Sequence, residues 1–319
     1  MKKVLVLGGT GAMGVYMVPL LIDLGYQVFV TSRRDRPSYH QNLQFIKMNA
    51  LTDLRGLKSL VAEHNFSSII DFMSYGEQHF SKRIKWLLND RTQYIFVSSC
   101  RVFADTPPIT EDSPRLLEVS TDENYLRTRE YALAKARQEN LLQSTKNCKF
   151  TIVRPHLTFS KNRFQLVTLE APRFLNQKIF KGAPVILPCP AMHKQISMTH
   201  GKDVALMISR LVCNEKALGT SFNLTTHEHH SWETIANFYS AILKEAGHKL
   251  NLLYTEDIDH YLQVNHNSKR KYQLIYGRMF NRVMDNSKIL EAADLTETDI
   301  TPFFKAMEGE LVRYLALKG

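Results

Sequence analysis

The stretch that decides the fold is Val4-Leu5-Val6-Leu7-Gly8-Gly9-Thr10-Gly11-Ala12-Met13-Gly14. Its four apolar residues predict a buried strand, and Ala12–Leu24 after them carries helical spacing. Glycines at 8, 11 and 14 lie where the strand turns into the helix. Glycine lets backbone amides come close to a pyrophosphate, which the positive end of the following helix then holds. Thr10, Ala12 and Met13 complete this expected cofactor-binding turn. Its position directly between strand and helix is what gives the motif weight.

The alternation continues downstream. Val28–Thr31, Leu43–Met48, Ser68–Phe72, Tyr94–Ser98 and Phe150–Arg154 read as strands, and Asp53–His64, Glu77–Asn89 and Asp122–Ser144 as helices. Strands separated by helices predict an α/β, doubly wound parallel sheet of the Rossmann type. The second half is less regular. Strands near Val185–Leu187, Gln195–Met198 and Ser221–Leu224 mix with helices at Val204–Val212, Trp232–Ala246 and Pro302–Leu317. This predicts a nucleotide-binding domain over 1–158 and a smaller α+β substrate domain over 159–319, with segments near 200–226 returning to the first.

Composition sets the outer bounds. A chain of 319 residues with 44% hydrophobic and 23% charged residues is ordinary for a globular protein of one or two domains. Cys100, Cys148, Cys189 and Cys213 are widely spaced and form no C-x-x-C pair, so free thiols in a reducing cytoplasm are expected. Lys2-Lys3 before Val4–Leu7 resembles the start of a secretory leader, but Gly8–Gly11 interrupts the apolar run. No run of apolar residues is long enough for a membrane span, and no membrane partner is expected. The net charge of +10 points to polyanionic partners or simply to solubility.

Two places speak to chemistry. The second strand ends in Thr31-Ser32-Arg33-Arg34 with no acidic residue, so Ser32 and Arg33 favour NADP, NAD being the alternative. Tyr131 and Lys135 stand four apart on a predicted helix, which places them on one face about 6 Å apart at Cβ. Lys135 can then stabilise a Tyr131 phenolate. The spacing recurs at Tyr314 and Lys318, read as the amphipathic surface of a C-terminal helix. Tyr131 differs because Ser98-Ser99 ends the fifth strand nearby, and ligands bind at the carboxyl ends of parallel strands.

Gly8-x-x-Gly11-x-x-Gly14, Ser98-Ser99-Cys100-Arg101-Val102-Phe103, Tyr131-x-x-x-Lys135, Arg154-Pro155, Asp203-Val204-Ala205 and Phe222-Asn223 occur in that order. Together they resemble the extended short-chain dehydrogenase/reductase family, the NAD(P)-dependent epimerase/dehydratase group that includes UDP-galactose 4-epimerase. The resemblance implies that Ser99 hydrogen-bonds the reacting oxygen, Tyr131 is the acid/base, and Lys135 holds the nicotinamide ribose. It places Asn49, Ala50, Leu51, Phe72, Met73, Ser74 and Pro155 with the glycine turn around the cofactor. Tyr75, Cys100, Arg101, Arg163 and Lys194 are the implied substrate contacts. A homodimer is expected through the helices near Glu77–Asn89 and Asp122–Ser144, with Trp86, Leu87, Leu133 and Leu141 in contact.

The departures from the family pattern concern the pocket. Asn49-Ala50 stands in place of Gly-Asp, Phe72-Met73-Ser74-Tyr75 in place of small residues, and Ala104 in place of Gly. Ile196 occupies the place of a diphosphate-binding Arg, for which Lys194 or Arg163 would substitute. Cys100-Arg101 replaces the Asp-Glu pair with which 4,6-dehydratases eliminate water, so an epimerase or reductase of nucleotide-linked sugars fits better.

The competing expectation is a catalytically idle NADP-binding relative that serves RNA or a regulatory partner. The segment Asn265–Asp285 carries Lys269, Arg270, Lys271, Arg278 and Arg282 among Tyr272, Tyr276 and Phe280. It could stack on bases and hold phosphates, or turn its aromatic stripe to the core. The intact Ser99, Tyr131 and Lys135 argue against nucleic acid as the partner. His227-Glu228-His229-His230 are too close in sequence to converge on an ion, and no metal is expected.

Overall fold

The structure, a computed structural model, describes residues 1–161, 163–171 and 173–317. Seven strands form one parallel sheet: β1 (Lys3–Leu7), β2 (Gln27–Ser32), β3 (Leu43–Lys47), β4 (Phe66–Asp71), β5 (Gln93–Val97), β6 (Phe150–Pro155) and β7 (Thr220–Leu224). Their order is β7-β6-β5-β4-β1-β2-β3, the doubly wound arrangement. The winding reverses between β1 and β4, and a crevice opens there at the carboxyl ends of the strands.

Eight helices matter here: α1 (Gly14–Asp23), α2 (Leu54–Glu63), α3 (Glu77–Leu87), α4 (Tyr131–Gln143), α5 (Gly201–Leu211), α6 (Trp232–Glu245), α7 (Ser287–Ala293) and α8 (Phe303–Ala316). Alternate residues of β1 feed opposite layers, as strand pleating requires. Val4 and Val6 pack with Met17 and Leu21 of α1, Ile208 of α5 and Ile289 of α7. Leu5 and Leu7 pack with Leu57 of α2 and Phe80 and Leu87 of α3. Covering both faces explains why β1 reads as an unbroken apolar run. Thr220–Leu224 and α5 thus belong with the sheet although they follow residue 158 in the chain.

A separate core forms the second lobe, with Trp232 and Tyr239 of α6, Leu311 of α8, and Phe164 and Phe174 among its buried residues. Two segments of this lobe reach the cleft. One is the hairpin Gln165–Leu166/Leu169–Glu170. The other is the irregular stretch Ser268–Arg278.

The expected helix Asp122–Ser144 is broken. Glu123–Leu126 forms one turn, and α4 begins afresh at Tyr131. The Arg137 guanidinium occupies the carbonyls of Leu126 and Thr128, and the Glu130 side chain accepts the Ala132 amide as an N-cap. Tyr131 is therefore the first helical residue and projects at the helix mouth. Tyr314, expected at the surface, is buried in the second lobe, where its hydroxyl donates to Asn176 at 3.1 Å. Lys318 lies outside the described residues. Leu87 and Leu133, expected at a dimer interface, are wholly buried within the chain's own core.

Candidate active site

The glycine turn shows two geometric demands. Gly8 has φ +77°, a conformation that side chains disfavour. A Cβ on Gly14 would lie 2.5 Å from the Gly9 backbone, so only glycine lets α1 close against the turn. The first turn of α1 has no side-chain cap, and its Val15 and Tyr16 amides close on the carbonyls of Gly11 and Met13, so the positive helix end faces the glycine turn. Ala12 and Met13 lie between Gly11 and Gly14. Beside the turn, Thr10, Ser32, Arg33, Arg34 and Arg36 surround a cavity of about 430 Å³ at the end of β2. Asn49, Ala50 and Leu51 follow β3, and the Asn49 carboxamide is engaged by the Leu51 amide at 3.1 Å. The arrangement of turn, uncapped helix and basic cavity fits a dinucleotide.

A cleft of about 550 Å³ continues from this turn along the strand ends. Met13, Phe72, Met73, Ser74, Ser99, Tyr131, Lys135 and Pro155 line it, together with Arg101, Arg163 and Arg278. Ser99 is nearly buried, and its hydroxyl accepts the Arg101 amide at 3.2 Å. Tyr131 lines the cleft and is 41% exposed. Burial raises its pKa above the usual 10; Arg101, Ser99 and Arg163 act against that rise.

Lys135 behaves differently from the sequence expectation. Its ammonium donates to the Val97 carbonyl at 2.8 Å and lies 4.5 Å from the Phe96 ring centre. Burial lowers its pKa to about 8, opposed by the carboxylates of Asp71 and Glu139. The cations that act on the Tyr131 hydroxyl are Arg101 and Arg163.

Beneath the cleft lie two buried carboxylates that periodicity did not reveal. Asp71, at the end of β4, accepts from Tyr94 at 2.7 Å and Tyr75 at 3.0 Å. Burial holds its pKa above the usual carboxylate range. Glu139 of α4 receives two hydrogen bonds from Arg154 at 2.9 Å and one from Arg115 at 3.0 Å. Their signal was an acidic residue inside an apolar strand or helix face, which is expensive unless paired.

Three expected substrate contacts lie elsewhere. Cys100 is wholly buried under the cleft, its thiol donating to the Arg154 carbonyl at 2.8 Å among Val102, Phe103 and Met284. Tyr75 turns its hydroxyl into the sheet toward Asp71. Lys194 does not line the cleft; it sits ahead of the short strand Gln195–Ile196, which pairs with His230–Ser231. Gln165, Glu170, Arg270, Gln273 and Arg278 line the cleft in their stead.

The aromatic stripe of the basic segment is committed to packing. Tyr276 stacks on Tyr125 with centres 4.2 Å apart, and its hydroxyl donates to Asp122 at 2.7 Å. Tyr272 lies 5.0 Å from the same ring, and Phe280 joins the cluster. Of the adjoining histidines, His227 meets Glu297 at 2.6 Å and His230 packs on Phe304. Among the described residues no three His, Cys, Asp or Glu side chains converge as a metal site, and no helix is long and apolar enough to cross a membrane.

Comparison with known proteins agrees with this geometry. A chloroplast stem-loop binding protein of 41 kDa from Arabidopsis thaliana is 25% identical over 249 residues, which cover 74% of this chain and 61% of that protein. A dTDP-glucose 4,6-dehydratase from Bacillus anthracis, solved with NAD, superposes with a TM-score of 0.70 at 14% identity over 98% of this chain and 96% of that one. A UDP-glucose 4-epimerase from Thermus thermophilus, also with NAD, gives 0.64 at 16% identity over 96% of each chain. The sequence profile of the NAD dependent epimerase/dehydratase family matches residues 4–224, from the first residue of the apolar run of β1 to the last residue of β7. The chain belongs to the NAD dependent epimerase/dehydratase family.

Proposed function

We propose that the protein is an NADP-dependent epimerase or reductase of a nucleotide-linked sugar. The observation that carries this reading is the convergence of Ser99, Tyr131 and Lys135 with the glycine turn on one cleft at the strand ends. When bound, the nicotinamide supplies hydride exchange with a sugar carbon. The chain's residues do the rest. Tyr131, which burial favours in its protonated form, would give its proton to the oxygen of a carbonyl that receives hydride, and the phenolate so formed would take that proton back when the alcohol is oxidised. Ser99 orients that oxygen. Lys135 offers its remaining donors to the ribose. An epimerase keeps its cofactor through both half-reactions and a reductase releases it, so a mass spectrum of the purified protein separates the two. A homodimer through the outward faces of α3 and α4, where Trp86 and Leu141 are half-buried, and residence in the cytoplasm belong to the same proposal.

The cofactor preference follows from the cavity beside β2. Arg33, Arg34 and Arg36 are exposed around it, and no acid faces a ribose hydroxyl there. A charged hydrogen bond to a 2′-phosphate is worth about 1.5–3 kcal/mol, so NADPH should bind about tenfold or more tightly than NADH. Calorimetric titration of both cofactors checks this, and tighter NADH binding contradicts it. Arg33→Ala should remove most of the difference.

The pH dependence follows from Lys135. Its charge is lost as pH rises through about 8, so cofactor affinity should fall between about pH 7 and about pH 9. An affinity that stays flat across that range contradicts the assignment. The unfolded chain binds more protons at this group between about 8 and 10.5. On this account stability rises with pH across that window.

A second reading, recognition of structured RNA, is favoured by the stem-loop binding relative and by the net charge of +10. It would rest on Lys269, Arg270 and Lys271. Of these, Arg270 pairs with Glu170 and Lys271 with Asp259.

A further inference from the structure

We propose that the reacting ring of the substrate itself carries an oxyanion, a carboxylate or a phosphate, and that Arg101 and Arg278 receive it beside Tyr131. The inference rests on reading the cleft as the substrate site. It concerns a group on the ring, distinct from any diphosphate linker.

Charge balance is the first argument. Arg101, Arg163, Arg270 and Arg278 line the cleft, and among the described residues Glu170 is the one carboxylate that lines it with them. Arg270 is spent on that carboxylate at 3.0 Å and on the Thr168 carbonyl at 3.1 Å. Arg101 is paired from outside the cleft wall with Glu130, while Arg163 and Arg278 form no salt bridge with a carboxylate of the wall. A neutral sugar would leave these two without a bound anion in a space from which it displaces water.

Unspent donors are the second. Arg278 is 98% buried, as its 2% exposure states. Its Nε donates to the Val167 carbonyl at 3.0 Å and its Nη2 to Gln165 at 2.9 Å, while Nη1 has no partner. Arg101 is tied to Glu130 through Nη2, and its buried Nε has no partner either. Behind them His156 is 1% exposed with both ring nitrogens unpartnered. Burial and the charges of Arg282, Arg278 and Arg101 hold it neutral, so it adds no further charge to the cluster. Like charges crowd Arg278 further, and with burial they lower its pKa to about 9. An oxyanion in the cleft relieves that repulsion, and guanidinium forks match carboxylate and phosphate alike.

Position is the third. The Arg101 guanidinium carbon lies 5.5 Å from the centre of the Tyr131 ring, and Arg101 and Arg163 are the cations acting on its hydroxyl. An anion held by Arg101 is therefore adjacent to the oxygen that Tyr131 serves. The position two residues after Ser99, where a dehydratase of this family would place an acid, here holds a cation suited to an acidic sugar.

The test is direct binding to the protein saturated with NADP, read by saturation-transfer NMR and calorimetry. The probes are galacturonate and glucuronate against galactose and glucose, glucose 6-phosphate against glucose, and inorganic phosphate. An acidic sugar should bind about tenfold or more tightly than its neutral counterpart, and Arg101→Gln should abolish the difference. Preference for the uronates assigns the carboxylate, and preference for the sugar phosphate assigns the phosphate. Unchanged NADP affinity shows that the variant is folded. Arg163→Gln, at an exposed position, should reduce the same preference if Arg101→Gln fails to fold. Equal binding of neutral and acidic sugars overturns the proposal and leaves the proposed function standing. Inorganic phosphate binding as tightly as glucose 6-phosphate overturns the assignment to a ring-borne group. Binding of no sugar of either kind overturns both.

Discussion

Tyr131→Phe should lower turnover by about 10²–10⁴-fold, the usual worth of a positioned acid/base, while leaving NADP affinity nearly unchanged. The substitution removes the transferable proton and keeps the ring that walls the cleft between Arg101 and Lys135. The proposed function assigns cofactor affinity to the glycine turn, the basic cavity and Lys135, none of which needs the phenol. Lys135→Met should weaken binding and turnover together, because that ammonium is buried against Val97 and Phe96 where the cofactor is expected. Steady-state kinetics with calorimetry on the same samples separates the two variants. A Tyr131→Phe protein with full turnover would remove Tyr131 from the chemistry.

Glu139→Ala should cost about 3–5 kcal/mol of folding stability, the usual penalty for breaking a buried ion pair from one side. Arg154 is 3% exposed and gives two hydrogen bonds at 2.9 Å to Glu139, which is itself fully buried, and one at 3.1 Å to the Glu111 carbonyl. Without the carboxylate, that guanidinium and the Ser98 hydroxyl lose their partner inside the core. Arg115 retains Glu118 and so contributes less. Urea unfolding followed by circular dichroism measures the loss, and a change below about 1 kcal/mol would contradict the account. The same substitution removes one of the two carboxylates that support the Lys135 charge. The basic limb of cofactor binding should therefore move to lower pH.

What could be read from the sequence, and what could not, follows the range of the interactions. The strands of the sheet are continuous apolar runs because both faces are covered, so β1 and its turn were visible within eleven residues. Tyr131 and Lys135 were visible because helical spacing is local. The break before Tyr131 was hidden, since it depends on Arg137 capturing the carbonyls of Leu126 and Thr128. Cys100 read as a substrate contact by its place after Ser99. The short 3₁₀ turn Cys100–Val102 instead points it inward, toward Arg154 and Asn223. Arg278 and Arg282 read as surface charge, yet both are buried. Arg282 is held by the carbonyls of Phe103 and Ala104, far away in the chain, which no periodicity reports. The cleft wall of the second lobe is built from such long-range contacts, with strands of two residues, and there Gln165, Glu170, Gln273 and Arg278 line the cleft while the expected Lys194 does not.

The central claim is that this cleft transfers hydride with Tyr131 as proton carrier. The most direct measurement incubates the protein and NADP with UDP-, GDP-, CDP- and dTDP-linked sugars, acidic and neutral, and follows reduced-nicotinamide absorbance and the appearance of epimers. The account predicts reduction or epimer exchange with at least one acidic sugar, lost in Tyr131→Phe. Absence of both with every sugar would contradict it, most sharply if a stem-loop RNA binds with steep salt dependence, ignores Tyr131→Phe and is released by charge reversal at Lys269, Arg270 and Lys271.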